Sequence, residues 1–411
     1  MTRTMTRTTG TAVTVEAVRR RTQRRRFIEF PYRLYRDDPV YVPPLRRDCR
    51  RLLSRRRNPF FEYGEVGLFL AYRGGRVAGR IAAVRNPRHN AVHGVRDGFF
   101  GQFECEDDPD AAVALVRAAE RWLRGRGLTS IVGPVNFTTN AECGLLVDGF
   151  GTPPRVQMPY NPPYYEALLR HGGLSKVKDL WAWERDISAL DARLLRVAEH
   201  VQDRHEITVR SVDLSRFESE LARIKYVYDT AWERNWGFVP MTDAEFTAQS
   251  REFRKICDPS LVLLAEAGGE PVGVVFALPD LNQALPAARG RLTTMGVPIG
   301  MVRLARAIRR IDQARGVLLG VVPEYRNRGI EALLYARIQQ ALRNGGYRGT
   351  IELGWTLEDN KPIIRSLTAL GCRHTKTYRL FRRDLTAGTG AAPTASPATA
   401  GLLETADRGS A

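Results

Sequence analysis

The chain has almost no lysine: of its 63 basic residues only six are Lys, and the rest are Arg. Its five cysteines, Cys49, Cys105, Cys143, Cys257 and Cys372, are odd in number, scattered and without a Cys-x-x-Cys pair. That usage excludes a disulfide framework and fits reduced thiols in the cytoplasm. His89 and His93 have no further ligands near them in the sequence, so no metal site is expected. No apolar run approaches the roughly 18–20 residues of a membrane span, so membrane insertion is not expected. An apolar signal-peptide core is missing at the N-terminus as well.

What is present is positive charge. The net charge is +18, and residues 1–60 hold 17 Arg against five acids, so most of the excess lies there. The run Arg19-Arg20-Arg21-Thr22-Gln23-Arg24-Arg25-Arg26 reads either as a grip on a polyanion or as a solvated arm. Residues 1–26 are expected to be a disordered basic arm, and residues 386–411, rich in Ala, Thr and Gly, a disordered tail. The full length of 411 residues implies two or three domains.

The most informative segment is Val317-Leu318-Leu319-Gly320-Val321-Val322-Pro323-Glu324-Tyr325-Arg326-Asn327-Arg328-Gly329-Ile330. It reads as a buried strand entering a basic turn. An amphipathic helix follows, with Ile330, Leu333, Leu334, Ile338, Ala341 and Leu342 on one face. Such a turn aims successive backbone N–H groups and the helix dipole at one spot, where a diphosphate fits.

These residues resemble the coenzyme A loop of the GNAT acyltransferase superfamily. Arg326 and Gly329 match its pattern, and Glu331 stands where the family has Gly or Ala. Asn360 and Gly371 resemble a second family segment, with Leu367 in place of the tyrosine that serves many members as general acid. The resemblance implies an α/β fold, a mixed twisted sheet with helices on both faces, and an acyl-CoA, most simply acetyl-CoA, as donor. It places the donor against Leu319, Val321, Arg326, Asn327, Arg328, Gly329, Ile330 and Asn360.

The order of elements occurs twice. Residues 69–83 and 263–277 are both strand, Gly-Gly turn, strand. Gly101 to Gly127 and Gly320 to Gly346 each enclose a strand and a helix, and Asn161 with Gly172 repeats the spacing of Asn360 with Gly371. Two tandem GNAT-like domains are therefore expected, over 27–188 and 189–385. In the first copy the phosphate turn is replaced by Glu106-Asp107-Asp108-Pro109-Asp110, a set of acids suited to capping a helix and hostile to a diphosphate. The first copy is expected not to bind coenzyme A, and the second to be the working half.

Acyl transfer to an amine needs a held donor, a deprotonated amine, a polarised carbonyl and a protonated leaving thiolate. Glu352, which shares a strand face with Gly354, is a candidate base, or else a partner for an arginine. Tyr378 is a candidate acid, or else a buried strand tyrosine. The resemblance places the acceptor near Trp232, Asn235, Trp236 and Phe238, and Asp280 and Asn282 open an insertion beside the catalytic strand. That insertion carries Arg289, Arg291, Arg303, Arg306, Arg309 and Arg310. Three readings stand: an acyl-CoA-dependent N-acyltransferase acting on a small amine, an aminoacyl-tRNA-dependent transferase, and a non-catalytic binding protein.

Overall fold

A computed structural model describes residues 12–189, 192–233 and 235–386. The first half supplies strands β1 (Val13–Ala17), β2 (Glu65–Arg73), β3 (Arg76–Arg85), β4 (Asp97–Cys105), β5 (Ser130–Gly133), β6 (Leu145–Asp148) and β7 (Ser175–Asp186). The second supplies β8 (Ile207–Ser211), β9 (Val262–Ala267), β10 (Glu270–Pro279), β11 (Ala314–Val321), β12 (Thr350–Leu357) and β13 (Arg373–Asp384). All join one sheet in the order β1-β2-β3-β4-β5-β13-β7-β12-β11-β10-β9-β8, with β6 added against β13.

The two expected hairpins are β2–β3 and β9–β10. Gly74 and Gly75, and again Gly268 and Gly269, have φ between 57° and 87°, as a two-residue turn matched to strand twist requires. The helix Pro109–Arg124 buries Ala112, Leu115, Val116, Ala119 and Leu123, the face read from its periodicity. Its acids cap it: Asp108 accepts from the Ala111 amide at 3.1 Å and pairs with Arg73 at 2.6 Å. The helix Ile330–Asn344 buries Ile330, Leu333, Leu334, Ile338 and Leu342, with Ala341 half-buried.

Two expectations need correction. Residues 13–17 form an edge strand on β2, and Arg21–Leu34 is a helix, so the basic segment is structured from Val13 onward. Phe27, Ile28 and Phe30 bury one side of that helix; Arg21, Arg25 and Arg26 are exposed, while Arg24 donates to the Leu53 carbonyl and Arg33 pairs with Glu106. Residues 1–11 and 387–411 lie outside the described residues.

The second correction concerns the division at 188/189. It separates the halves in sequence but not in space. β13, the last strand of the second half, pairs with β5, while β7, the last strand of the first, pairs with β12. The halves exchange terminal strands, and β7 and β13 lie antiparallel at the centre.

Candidate active site between the halves

β11 and β12 run parallel for three residue pairs, Ala314↔Ile351, Arg315↔Glu352 and Gly316↔Leu353, and then part. Beyond Gly316 the β12 side of β11 has no ladder partner, which leaves the peptide groups of Val317 to Val321 open to an extended ligand. A bulge falls there too, because Phe276 and Ala277 of β10 oppose Leu318 and Gly316, and Val317 is passed over.

The opening leads into a cavity of about 1000 Å³ lined by both halves. The walls are mostly apolar. Val317, Leu318 and Trp355 come from the parted strands, Tyr228, Trp232 and Phe238 from the second half's helix and loop, and Tyr32, Tyr41 and Leu52 from the first half. This is the top of the usual range for ligand pockets, roughly 300–1,000 Å³.

First-half residues fix the second-half wall. Asn140 donates to the Val239 carbonyl at 2.7 Å and accepts from the Tyr228 hydroxyl at 3.1 Å, and Thr139 donates to the Gly237 carbonyl at 2.5 Å. These bonds seat residues 134–144 across the cavity from β11. Glu142 from that segment lines the cavity. Asn136 donates to its Oε2 at 2.9 Å, and among the described residues it has no ion pair. Water reaches the carboxylate from the cavity although protein surrounds it. That burial raises its pKa, against the Asn136 bond and the Arg315 charge, with Glu104 adding to the rise.

The other lining carboxylates are engaged. Glu104 accepts from the hydroxyls of Tyr35 and Tyr165, Glu220 pairs with Arg210, and Glu252 pairs with Arg51 and Lys255. Asp48 pairs with Arg47. Arg315 reaches the wall from the base of the parted strands. It donates to the Val156 carbonyl at 3.0 Å and the Gly354 carbonyl at 3.3 Å, and burial lowers its pKa.

The residues singled out from the sequence divide. Trp232, Asn235, Trp236, Phe238, Asn282 and Asn360 line the cavity. Asn360 also caps the helix Lys361–Ala369 through the Ile363 amide. Glu352, Tyr378 and Asp280 do not reach the wall. Glu352 is 2 % exposed, lies 3.9 Å from Lys376 and has its pKa raised by burial. Tyr378 is fully buried, and its hydroxyl has no partner in the described structure. Asp280 accepts from the Val156 amide at 2.8 Å and from Arg155 at 3.2 Å. The face that carries Glu352 is turned toward the 153–157 segment, where Lys376 donates to the Pro153 carbonyl, a cover that strand alternation does not show. Glu142 was missed because it lies in the half set aside as scaffold.

The family model described as Acetyltransferase (GNAT) family matches residues 222–371. Bacterial ceramide synthase from Caulobacter vibrioides is 35% identical over 388 residues, 92% of this chain and 99% of that protein. Protein YghO from Escherichia coli is 32% identical over 366 residues, 87% of this chain and 92% of that protein. Among solved structures, a tandem GNAT protein from the clavulanic acid biosynthesis pathway aligns over 92% of this chain and all of that one, at a TM-score of 0.53 and 13% identity. The chain belongs to the GNAT acetyltransferase family.

GNAT folds generally use acyl-CoA donors, and the second half carries the elements that the sequence resemblance assigned to one. Leu319 and Val321 lie on the length of β11 that has no β12 partner, and the turn at Arg326–Gly329 leads into the helix Ile330–Asn344. Arg326 differs from expectation. Its guanidinium turns back onto the carbonyls of Ala231, at 2.8 Å, and Val321, at 3.3 Å, and so braces the turn. Arg328 stacks over the Tyr325 ring at 4.7 Å, Asn327 has φ 60°, and Glu331 sits partly exposed in the first helical turn.

Gly329 has φ 81°, and a Cβ there would come within 2.8 Å of Val201 Cγ2. Gly329→Ala is therefore expected to displace the turn and raise the KM for acyl-CoA about tenfold, the order of one lost charge-assisted contact of roughly 1.5 kcal/mol. Initial rates on protein of unchanged circular dichroism check this.

The matching GNAT slot in the first half is filled by its own chain. β4 and β5 also part after three pairs, but the Val135 amide donates to the Phe100 carbonyl at 2.7 Å, and Asn136 Oδ1 accepts from the Gln102 amide at 3.0 Å. Gly101 allows the approach, since a Cβ would strike the Val135 carbonyl.

Proposed function

We propose that this GNAT protein is an acyl-CoA-dependent N-acyltransferase whose acceptor is a long-chain amino alcohol of the sphingoid-base type, giving a ceramide-like amide. The observation that carries the reading is the large, mostly apolar cavity opening directly on the parted strands. A small polar amine would leave most of that wall wet, whereas an alkyl chain would cover it, each buried CH₂ contributing about 0.8 kcal/mol. The relative named for ceramide synthesis, similar along nearly its whole length, supports the same acceptor class. The apolar wall also weighs against aminoacyl-tRNA as donor.

In this reading the bound thioester supplies the electrophilic acyl carbon. Leu319 and Val321 hold the donor's extended arm at the strand edge, and the Arg326–Ile330 amides hold its diphosphate. Glu142 faces the acceptor ammonium and takes its first proton, which passes on to cavity water. The second proton, released as the C–N bond forms and the C–S bond breaks, ends on the departing thiolate. Asn136 holds the carboxylate in place, and its bond and the Arg315 charge favour the ionised form against the burial that raises the pKa.

The test is thiol release and product mass with palmitoyl-CoA and a series of amines. Sphinganine is expected to exceed ethanolamine in kcat/KM by at least about 100-fold, the order set by a few buried methylenes at 10–200-fold each. Equal rates along the series, or turnover of short amines alone, would remove the lipid acceptor. No release with any amine would remove the enzyme reading.

A further inference from the structure

The insertion between β10 and β11 presents a surface that the proposed chemistry does not use. Six arginines, Arg289, Arg291, Arg303, Arg306, Arg309 and Arg310, lie in residues 289–311, which contain no acidic residue. Apolar side chains stand out among them. Met295 is 99% exposed at the tip of a tight turn closed by Thr294 and Val297, and Val297, Met301, Val302 and Ile308 are all exposed. Along the helix Ile299–Ile308, Met301, Ala305 and Ile308 fall on one line at i, i+4 and i+7, Arg303 and Arg306 fall on a neighbouring line, and Arg309 and Arg310 follow its C-terminal end. Gly300 is the helix's buried residue.

The inward side of this segment belongs to the cavity. Leu285 and Leu304 line it, with the exposed Ile308 shared between the two sides, as do Arg47, Arg51 and Leu52 of the basic helix Arg46–Leu52. The two segments touch: the Arg46 amide donates to the Gly290 carbonyl at 3.0 Å. A basic rim studded with outward apolar side chains thus borders the cavity. A nucleic acid would use the arginines and leave Met295, Met301 and Val302 in water. A folded protein partner would need a complementary acidic and apolar face. An anionic bilayer takes both kinds of side chain at once, apolar groups into the acyl boundary and guanidiniums among the phosphates. No helix among the described residues is long and apolar enough to cross a membrane.

We infer that residues 289–310 are an interfacial docking element that seats the protein on an anionic lipid surface with the cavity open toward it. Its use, extraction of a lipid amine, rests on the acceptor class proposed above, but the binding itself does not.

The experiment is flotation of the full chain with vesicles of phosphatidylcholine alone and of an equal mixture with phosphatidylglycerol. Binding to the mixed vesicles is expected to exceed binding to phosphatidylcholine by at least about tenfold and to weaken as salt rises. Met295→Glu with Met301→Glu, and separately Arg303→Glu with Arg306→Glu, should each lower binding to mixed vesicles at least about tenfold. All four positions are exposed, and unchanged circular dichroism and Tm verify the fold. Failure of the parent to float with mixed vesicles, equal flotation of parent and both variants, or retention of RNA in place of vesicles would each overturn the inference. Acyl transfer to sphinganine in detergent micelles separates the two claims. Transfer without flotation removes the docking element and leaves the acceptor, and flotation without transfer does the reverse.

Discussion

Glu142→Gln is expected to lower kcat by about 10²–10⁴-fold, the usual worth of a positioned general base. Gln keeps the shape and can still meet Asn136, so a large loss would report the proton rather than the packing. The pH profile gives a second readout. Burial raises the Glu142 pKa above the ordinary glutamate value, opposed by Asn136 and Arg315 and assisted by Glu104. Activity that needs the ionised carboxylate is lost as pH falls through this raised pKa and recovers above it. The acidic limb should therefore lie above the roughly 4.3 of a free glutamate and vanish in Glu142→Gln. A variant within threefold of the parent, with its acidic limb intact, would move the base elsewhere, and Glu352→Gln would be the next measurement.

Arg155→Met is expected to destabilise the fold by about 3–5 kcal/mol, the cost of removing one partner from a buried ionic network. Arg155 donates to Glu184 at 2.5 Å, to the Thr350 hydroxyl at 2.7 Å and to Asp280 at 3.2 Å. Its loss would leave buried Asp280 and half-buried Glu184 without that cation at the seam where β7 meets β12. Urea titration followed by tryptophan fluorescence would measure it; a change under about 1 kcal/mol would show that Thr350 and neighbouring amides suffice. The acid side carries a sign. Burial opposes ionisation of Glu184, but the Thr350 hydroxyl and Arg155 outweigh it, and its folded pKa is lowered. Its contribution is present above the unfolded carboxylate pKa and is lost as pH falls through the lowered folded value. Asp280 runs the other way: burial raises its pKa, so ionising it above that value counts against the fold. The parent's acid-induced loss should therefore shrink in Arg155→Met, because Glu184 loses a cation that lowers its pKa and Asp280 loses one that opposes its rise.

Much of the fold could be read from local periodicity. The Gly-Gly hairpins, the capped helix at Asp108 and the turn at Gly329 are each written in a few adjacent residues, and their physics is local. The strand exchange is not local. β7 and β13 close on similar segments, Glu184-Arg185-Asp186-Ile187 and Arg382-Arg383-Asp384-Leu385, so either strand suits either sheet in composition. The aromatic positions Trp232, Trp236 and Phe238 came forward because the family resemblance mapped them to the acceptor. Glu352 came forward by alternation along β12, and the cover from Pro153 to Gln157 could not be seen in that pattern. Glu142 offered one faint signal, a lone acid in the otherwise uncharged run from Gly133 to Val147 apart from its own carboxylate.

The exchanged strands also govern how the protein can be made. β5 gains its neighbour β13 only when residues 373–384 have left the ribosome, near the end of synthesis. Until then the first half exists with an open sheet edge, an adhesive template for other chains. Neither half completes its own part of the sheet. The two similar halves form one sheet, in which a stop codon before residue 373 would remove the strand that pairs with β5.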